Sequence, residues 1–237
     1  MASAQARVPL VPMVVAPGSA ELKCNIVPYD NAWLWTVAFP DGTTSVQGIW
    51  SDHVDNSSVD GKRVIRRVQG MSYVKGKTMQ LIVTIDPKTC APLSTERHTI
   101  DGSVYTREFN ESTITTQRTS AHGDHNVTTI AADAPAFAFN DGEDALLLAS
   151  LPLRSGYQAR ISAIDEMTAS DSLKPIEIRV LKQDTLHDSR GTRTAFVVEA
   201  KDTESKSTLW ISRKPPYYLR LEVSYSDNRY RSIFERI

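Results

Sequence analysis

The residues best placed to do chemistry lie in Ser94-Thr95-Glu96-Arg97-His98. Side chains alternate between the two faces of a β-strand, so this segment puts Ser94, Glu96 and His98 on one face. A carboxylate beside an imidazole raises its basicity and orients its ring, which suits acid–base work near neutral pH. The next run carries Tyr105 and Arg107, and a guanidinium there can reach across the Glu96–His98 pair. One reading is therefore a catalytic group of Glu96, His98 and Arg107 inside a barrel. The other is a solvated outer sheet face with ordinary cross-strand charge pairs. Trp33, Trp35 and Trp50 crowd the first two apolar runs, with Trp33 and Trp35 on a shared face. With Tyr105 they suit a ligand-binding wall, or else a packed core.

Other chemistry is weakly represented. His122-Gly123-Asp124-His125 brings two imidazoles and a carboxylate together, but the spacing matches no strong metal motif and reads as a polar loop. Neither a metal nor a cofactor is expected, since P-loop, GxGxxG, HExxH, GxSxG and EF-hand patterns are all missing from the sequence. The basic run Lys62-Arg63-Val64-Ile65-Arg66-Arg67 sends its charges to both faces of a strand and reads as snorkelling side chains. Across 237 residues, 27 Lys+Arg stand against 28 Asp+Glu, a net charge of 27 − 28 = −1. That balance excludes a broadly basic nucleic-acid binder. Hydrophobic residues at 41% and charged residues at 23% are ordinary for a folded globular chain. No apolar run approaches the ~18 residues of a membrane-spanning helix.

The elements that must position these residues are mostly strands. Met79, Leu81, Val83 and Ile85 alternate with Thr78, Gln80 and Thr84; Ile176, Ile178 and Val180 alternate with Glu177 and Arg179; Leu219, Leu221 and Val223 alternate with Arg220, Glu222 and Ser224. Period-2 patterns of this kind mark half-buried strands. Shorter runs lie between them, including 34–39, 45–51, 62–73, 92–100, 104–109, 113–118 and 127–131. Asp41-Gly42, Asp60-Gly61, Asp101-Gly102 and Asp141-Gly142 supply the positive φ angles of tight hairpins. One segment, Asp141–Leu151, reads as a short helix closed by Pro152. It is expected to plug or bridge two β halves, residues 22–139 and 153–237. The expected fold is all-β: a large antiparallel meander forming a barrel or half-barrel with one short helix.

Residues 1–21 read as an extended arm or signal remnant preceding a single barrel domain over 22–237. Pro9 and Pro12 interrupt the apolar run Val8–Ala16, and Ala4-Gln5-Ala6 fits a signal-peptidase site. Cys24 and Cys90 either form a disulfide or stay as buried thiols.

Several stretches together resemble the DUF3108 family of exported bacterial proteins of unknown function. They are Gly61–Arg67, Ile85-Asp86-Pro87-Lys88-Thr89 with Ala91-Pro92-Leu93, Leu151–Tyr157, Leu209-Trp210-Ile211-Ser212 and Pro215–Glu222. The resemblance implies a periplasmic or secreted antiparallel β-barrel or half-barrel, similar to lipoprotein carriers that hold acyl chains in an apolar cavity. It supplies no catalytic residues. The sequence departs from it in lacking a lipobox cysteine near the start and in the polar stretch Gln183–Arg193. The expected partner is a lipid or other hydrophobic small molecule, bound by a monomer or a dimer. The alternative is a small barrel enzyme, a hydrolase, lyase or cyclase, built on the Glu96–His98 pair.

Overall fold

The structure, a computed structural model, describes residues 12–139, 143–167, 171–188, 190–227 and 229–237. The Ala4-Gln5-Ala6 motif, the start of the Val8–Ala16 run and the Asp141-Gly142 turn lie outside the described residues. The strands are β1 (Met13–Val14), β2 (Tyr29–Ala38), β3 (Thr44–Val59), β4 (Lys62–Tyr73), β5 (Thr78–Ile85), β6 (Pro92–His98), β7 (Val104–Phe109), β8 (Thr113–Thr119) and β9 (His125–Ala131). After β10 (Phe137–Phe139) and the helix α1 (Asp144–Ser150) come β11 (Gln158–Asp165), β12 (Leu173–Asp188), β13 (Gly191–Lys201), β14 (Ser205–Ile211), β15 (Tyr218–Tyr225) and β16 (Arg231–Arg236). Alternation places them well because pleating makes the buried face a local property: Met79, Leu81, Val83 and Ile85 of β5 are all buried, while Thr78 and Gln80 are exposed.

All sixteen described strands join one sheet, ordered β1-β11-β12-β13-β14-β15-β16-β2-β3-β4-β5-β6-β7-β8-β9, with β10 also on β11. The two β halves are thus joined: β16 pairs antiparallel with β2, Phe234 opposite Trp35. The sheet is antiparallel except where β1 and β10 run parallel to β11. Between β3 and β4 the turn has positive φ at both Asp60 (50°) and Gly61 (75°), the backbone of a two-residue hairpin whose twist matches its strands.

The sheet curls without closing: its path runs from β1 to β9, and β9 pairs with neither β1 nor β10, the strands on the outer edge of β11. Apolar contacts bridge that seam: Ile114 of β8 and Ile164 of β11 share a buried cluster with Ala136, and Ile130 and Leu173 pack against it. Helix α1 fills the hollow. Among its residues all but Ala149 are buried, as expected of a helix enclosed on every side. Leu147 and Leu148 join the main core with Trp33, Trp50 and Tyr218, while Leu146 packs with Val54, Ile65 and Leu81.

One end is sealed by the segment before β2. There the Lys23 N–H donates to the Ser150 carbonyl at the end of α1, 2.9 Å away, and the Gly18 N–H donates to Thr89 O at 2.7 Å. Cys24 and Cys90 form a disulfide with Cα atoms 5.5 Å apart, resolving the choice the sequence left open. The bond ties this segment to the turn between β5 and β6. Replacing both cysteines by serine should lower unfolding free energy by about 2–4 kcal/mol, by releasing the loop constraint on the unfolded chain. Urea denaturation of the double variant, with intact mass measured under non-reducing conditions, checks this.

Candidate functional site

Inward-facing residues of separate strands leave one apolar hollow unfilled. Trp35 of β2, Met71 of β4, Leu209 of β14, Leu221 and Val223 of β15 and Phe234 of β16 face Phe139 of β10 across a cavity of about 210 Å³. Trp35 stacks on Phe234, centroids 5.6 Å apart and planes 10° apart, and meets Tyr73 edge-on at 5.4 Å. Its indole Nε1 is buried with no hydrogen-bond partner among the described residues. Gly48, opposite Trp35 in the register, allows β3 and β4 to approach closely: a Cβ there would sit 2.1 Å from the Ser72 carbonyl oxygen.

Polar residues line the rest of this cavity, among them Asp165, Asp202, Glu204 and Tyr225. Lys174 Nζ lies 2.9 Å from Glu204 and 4.0 Å from Asp165. These partners outweigh the cost of its partial burial and leave the ammonium above its ordinary pKa.

Asp144, on the cavity wall and in the first turn of α1, is held by a buried guanidinium. Arg67 donates two parallel bonds to Asp52, Nε–Oδ1 and Nη2–Oδ2, each 2.9 Å, and a third from Nη1 to Asp144 Oδ1 at 3.0 Å. The Tyr29 hydroxyl donates to Asp52 Oδ2 at 2.7 Å. Burial and the neighbouring Asp52 charge drive the Tyr29 phenol well above its usual range. Burial opposes the charge on Arg67, but Asp52, Tyr29 and Asp144 outweigh it and keep the guanidinium protonated. The snorkelling expectation therefore fails for Arg67, which is 0% exposed, because inward parity and a paired carboxylate take it into the core.

A second charged cluster clasps the seam. Arg107 of β7 donates from Nη1 to Glu166 Oε2 at 2.8 Å and from Nε to Thr116 Oγ1 at 3.2 Å. Thr95 also donates to Glu166 Oε2, at 3.0 Å, and Arg97 donates to the Glu166 carbonyl oxygen. Asp171 accepts from Thr116 at 2.9 Å and from Thr128 at 2.7 Å. Residues leading from β11 into β12 are thereby pinned to the inner faces of β6, β7, β8 and β9. Burial lifts the Glu166 carboxyl above its ordinary value despite Arg107. Partial burial also pushes Asp171 upward, but the Thr128 and Thr116 hydroxyls with Arg107 outweigh it and hold it below the usual range.

The sequence-based catalytic group does not assemble. His98 Nε2 and Glu96 Oε1 are 2.5 Å apart, and both side chains are 45% exposed, so the pair lies on the outer face. The β6–β7 register sets Arg107 opposite Thr95 and Tyr105 opposite Arg97, which sends Arg107 inward, 1% exposed, away from Glu96 and His98. Tyr105 is not part of the cavity wall; its ring lies between the guanidinium groups of Arg97 (4.5 Å) and Arg118 (5.2 Å). Trp33 and Trp50 are fully buried and pack on each other at 4.9 Å and on Tyr218, as core residues. Of the three tryptophans singled out, Trp35 alone lines the cavity. His122 and His125 are exposed, with Asp124 held by the Ser120 hydroxyl at 3.0 Å. Sequence reasoning missed Glu166, Asp171 and most of the cavity wall; the inward parity of Leu209, Leu221 and Phe234 was the available signal.

A family model described as a protein of unknown function, DUF3108, matches residues 35–231. The chain belongs to the DUF3108 family. That span takes in the sheet from within β2 to the start of β16, including the cavity wall and both charge clusters, apart from Tyr29, Ser232 and Phe234. No curated protein matches the chain. Among solved structures it is similar to the crystal structure of a beta-barrel-like protein of the domain of unknown function DUF1849 from Brucella abortus. The two share 11% identity over 89% of this chain and 96% of that one, with a TM-score of 0.57. This likeness concerns the fold.

Two variants test the charge clusters of this DUF3108 protein. Arg67→Met should cost about 3–5 kcal/mol in urea denaturation, because Asp52 and Asp144 are left buried without their counter-ion. Asp171→Asn should matter in a pH-dependent way. The folded-state pKa is depressed, so the contribution is complete above the unfolded value of about 4 and vanishes as pH falls through the folded value. Melting curves from neutral to strongly acidic pH should show the gap between parent and variant shrinking as pH falls.

Proposed function

We propose that the protein binds a hydrophobic small molecule, or the apolar part of a lipid, in the cavity between β14–β16, β2 and β10. One observation carries this reading: a space of about 210 Å³ walled by Trp35, Met71, Phe139, Leu209, Leu221 and Phe234 stays open in a barrel otherwise filled by α1 and aromatic side chains. An apolar cavity of roughly 150 Å³ is enough to take benzene. The space therefore suits a single ring or a short alkyl segment, and a diacyl lipid would have to leave most of its chains outside. Export to an oxidising compartment accords with this role and is supported by the Cys24–Cys90 disulfide. The Glu96–His98 pair, half exposed on the outer face, offers no comparable enclosure for catalysis.

Calorimetric titration with toluene, a neutral probe of a single ring, tests the proposal, alongside mass spectrometry of small molecules released on denaturation. Saturable binding is expected. Val223→Trp, at a half-buried position on the cavity wall, should weaken it at least tenfold with little change in melting temperature. Failure to bind, or equal binding by the variant, would overturn the reading.

A further inference from the structure

The polar stretch Gln183–Arg193, out of place in the family resemblance, contributes to a groove unlike the rest of the surface. It forms the end of β12 and the start of β13, facing the turn that follows β14. The groove encloses about 690 Å³ and is lined by Arg190, Arg193, Arg213 and Lys214, with Ser212 and Phe196 between them. No carboxylate is among the described residues that line it, although the whole chain carries 28 Asp+Glu against 27 Lys+Arg. It also lies away from the apolar cavity: Arg193 is near the start of β13, whereas Asp202 on the cavity wall follows its end, roughly 30 Å of extended strand away.

Arg193 and Arg213 are positioned by groups that carry no charge. Arg193 Nη1 donates to the Pro215 carbonyl at 3.2 Å, and Arg213 Nη2 to the Leu153 carbonyl at 2.5 Å. The Arg213 guanidinium also lies over the Phe196 ring, 5.1 Å from its centroid. Backbone oxygens and a ring face hold these side chains in place while taking only part of each guanidinium's five-donor fork. Ser212 Oγ accepts the Lys214 N–H at 3.1 Å, which leaves the hydroxyl proton available to an oxyanion. Preorganised guanidinium donors, an ammonium and a hydroxyl around one concavity match the oxygens of a tetrahedral anion.

We propose that this groove binds a phosphate group, carried either by a soluble phosphomonoester or by a phospholipid headgroup. The site is independent of the apolar cavity, and either can fail alone. Calorimetric titration with inorganic phosphate and with glycerol 3-phosphate reads the soluble source. Co-sedimentation with vesicles of equal parts phosphatidylcholine and phosphatidylglycerol, against pure phosphatidylcholine, reads the headgroup. Arg193→Gln and Arg213→Gln should each weaken binding about tenfold, the usual weight of a charge-assisted hydrogen bond. Lys214→Gln should weaken it less, and added salt should weaken it throughout. Arg213 also braces Leu153, so the exposed Lys214→Gln keeps the test meaningful if Arg213→Gln loses its fold.

The exposed Arg63 on β4, bonded to Asn56, is the control, and Arg63→Gln should change nothing. Saturable binding of the soluble anions with this pattern of losses supports the groove with a soluble ligand. Binding to the anionic vesicles alone, with the same pattern, supports it as a headgroup site. No saturable binding in any arm, or equal loss in Arg63→Gln, overturns the proposal.

Discussion

A sheet this long, apolar on one face, curls and leaves a hollow that has to be filled. In this protein a two-turn helix fills it, and its position depends on one buried cation. Arg67 on β4 reaches into the lumen, binds Asp52 on the neighbouring strand with a paired fork and reaches on to Asp144 at the start of α1. The anion it meets is in the first helical turn, where the backbone N–H groups also favour negative charge. With α1 anchored there, Leu146 turns to one core cluster and Leu147 and Leu148 to another. The cavity is the part of the lumen that this plug does not reach.

The open seam is managed by the same means. Backbone pairing ends at β9 on one side and at β1 and β10, which share the outer edge of β11, on the other, so closure falls to side chains. Ile114, Ile130 and Ile164 supply apolar contact, and Arg107 gathers Glu166, Thr116 and Asp171 into a clasp across it. An apolar seam closes without choosing a register, whereas a guanidinium fork sets direction and distance. Both clusters join elements far apart in sequence, which makes them devices of shape more than of stability, since desolvation consumes much of what buried ion pairs gain. The disulfide performs the corresponding task at the barrel end.

Charge is distributed unevenly over this frame. Asp144, Asp165, Asp202 and Glu204 gather around the apolar cavity, while Arg190, Arg193, Arg213 and Lys214 gather around the groove near the opposite end of β13. The acids at the cavity are largely paired, Asp144 with Arg67 and both Asp165 and Glu204 with Lys174, so a near-zero net charge conceals an uneven placement of cations that composition averages away. The aromatic residues are divided in a similar way. Trp33 and Trp50 are consumed in filling the lumen, and Trp35, two residues from Trp33 on the same face, remains beside the empty space.

Local patterns determined the antiparallel strands, their hairpin turns and the short helix, though not the short parallel strands β1 and β10, since a pleat alternates every residue and an Asp-Gly step acts on its own backbone. Hence β4 and β7 span the residues that alternation marks, 62–73 and 104–109. Which strands meet is a different kind of fact. The pairing of β16 with β2 joins residues some two hundred apart, and nothing in either strand names the other. Register made the largest difference: placing Thr95, and not Glu96, opposite Arg107 took Arg107 from an imagined active site to the seam clasp, because a shift of one residue exchanges the two faces of a strand. The cavity, the two charge clusters and the basic groove each draw on several strands at once, so tertiary structure alone decided them. Only the order and register of the sheet bring those side chains within reach of one another.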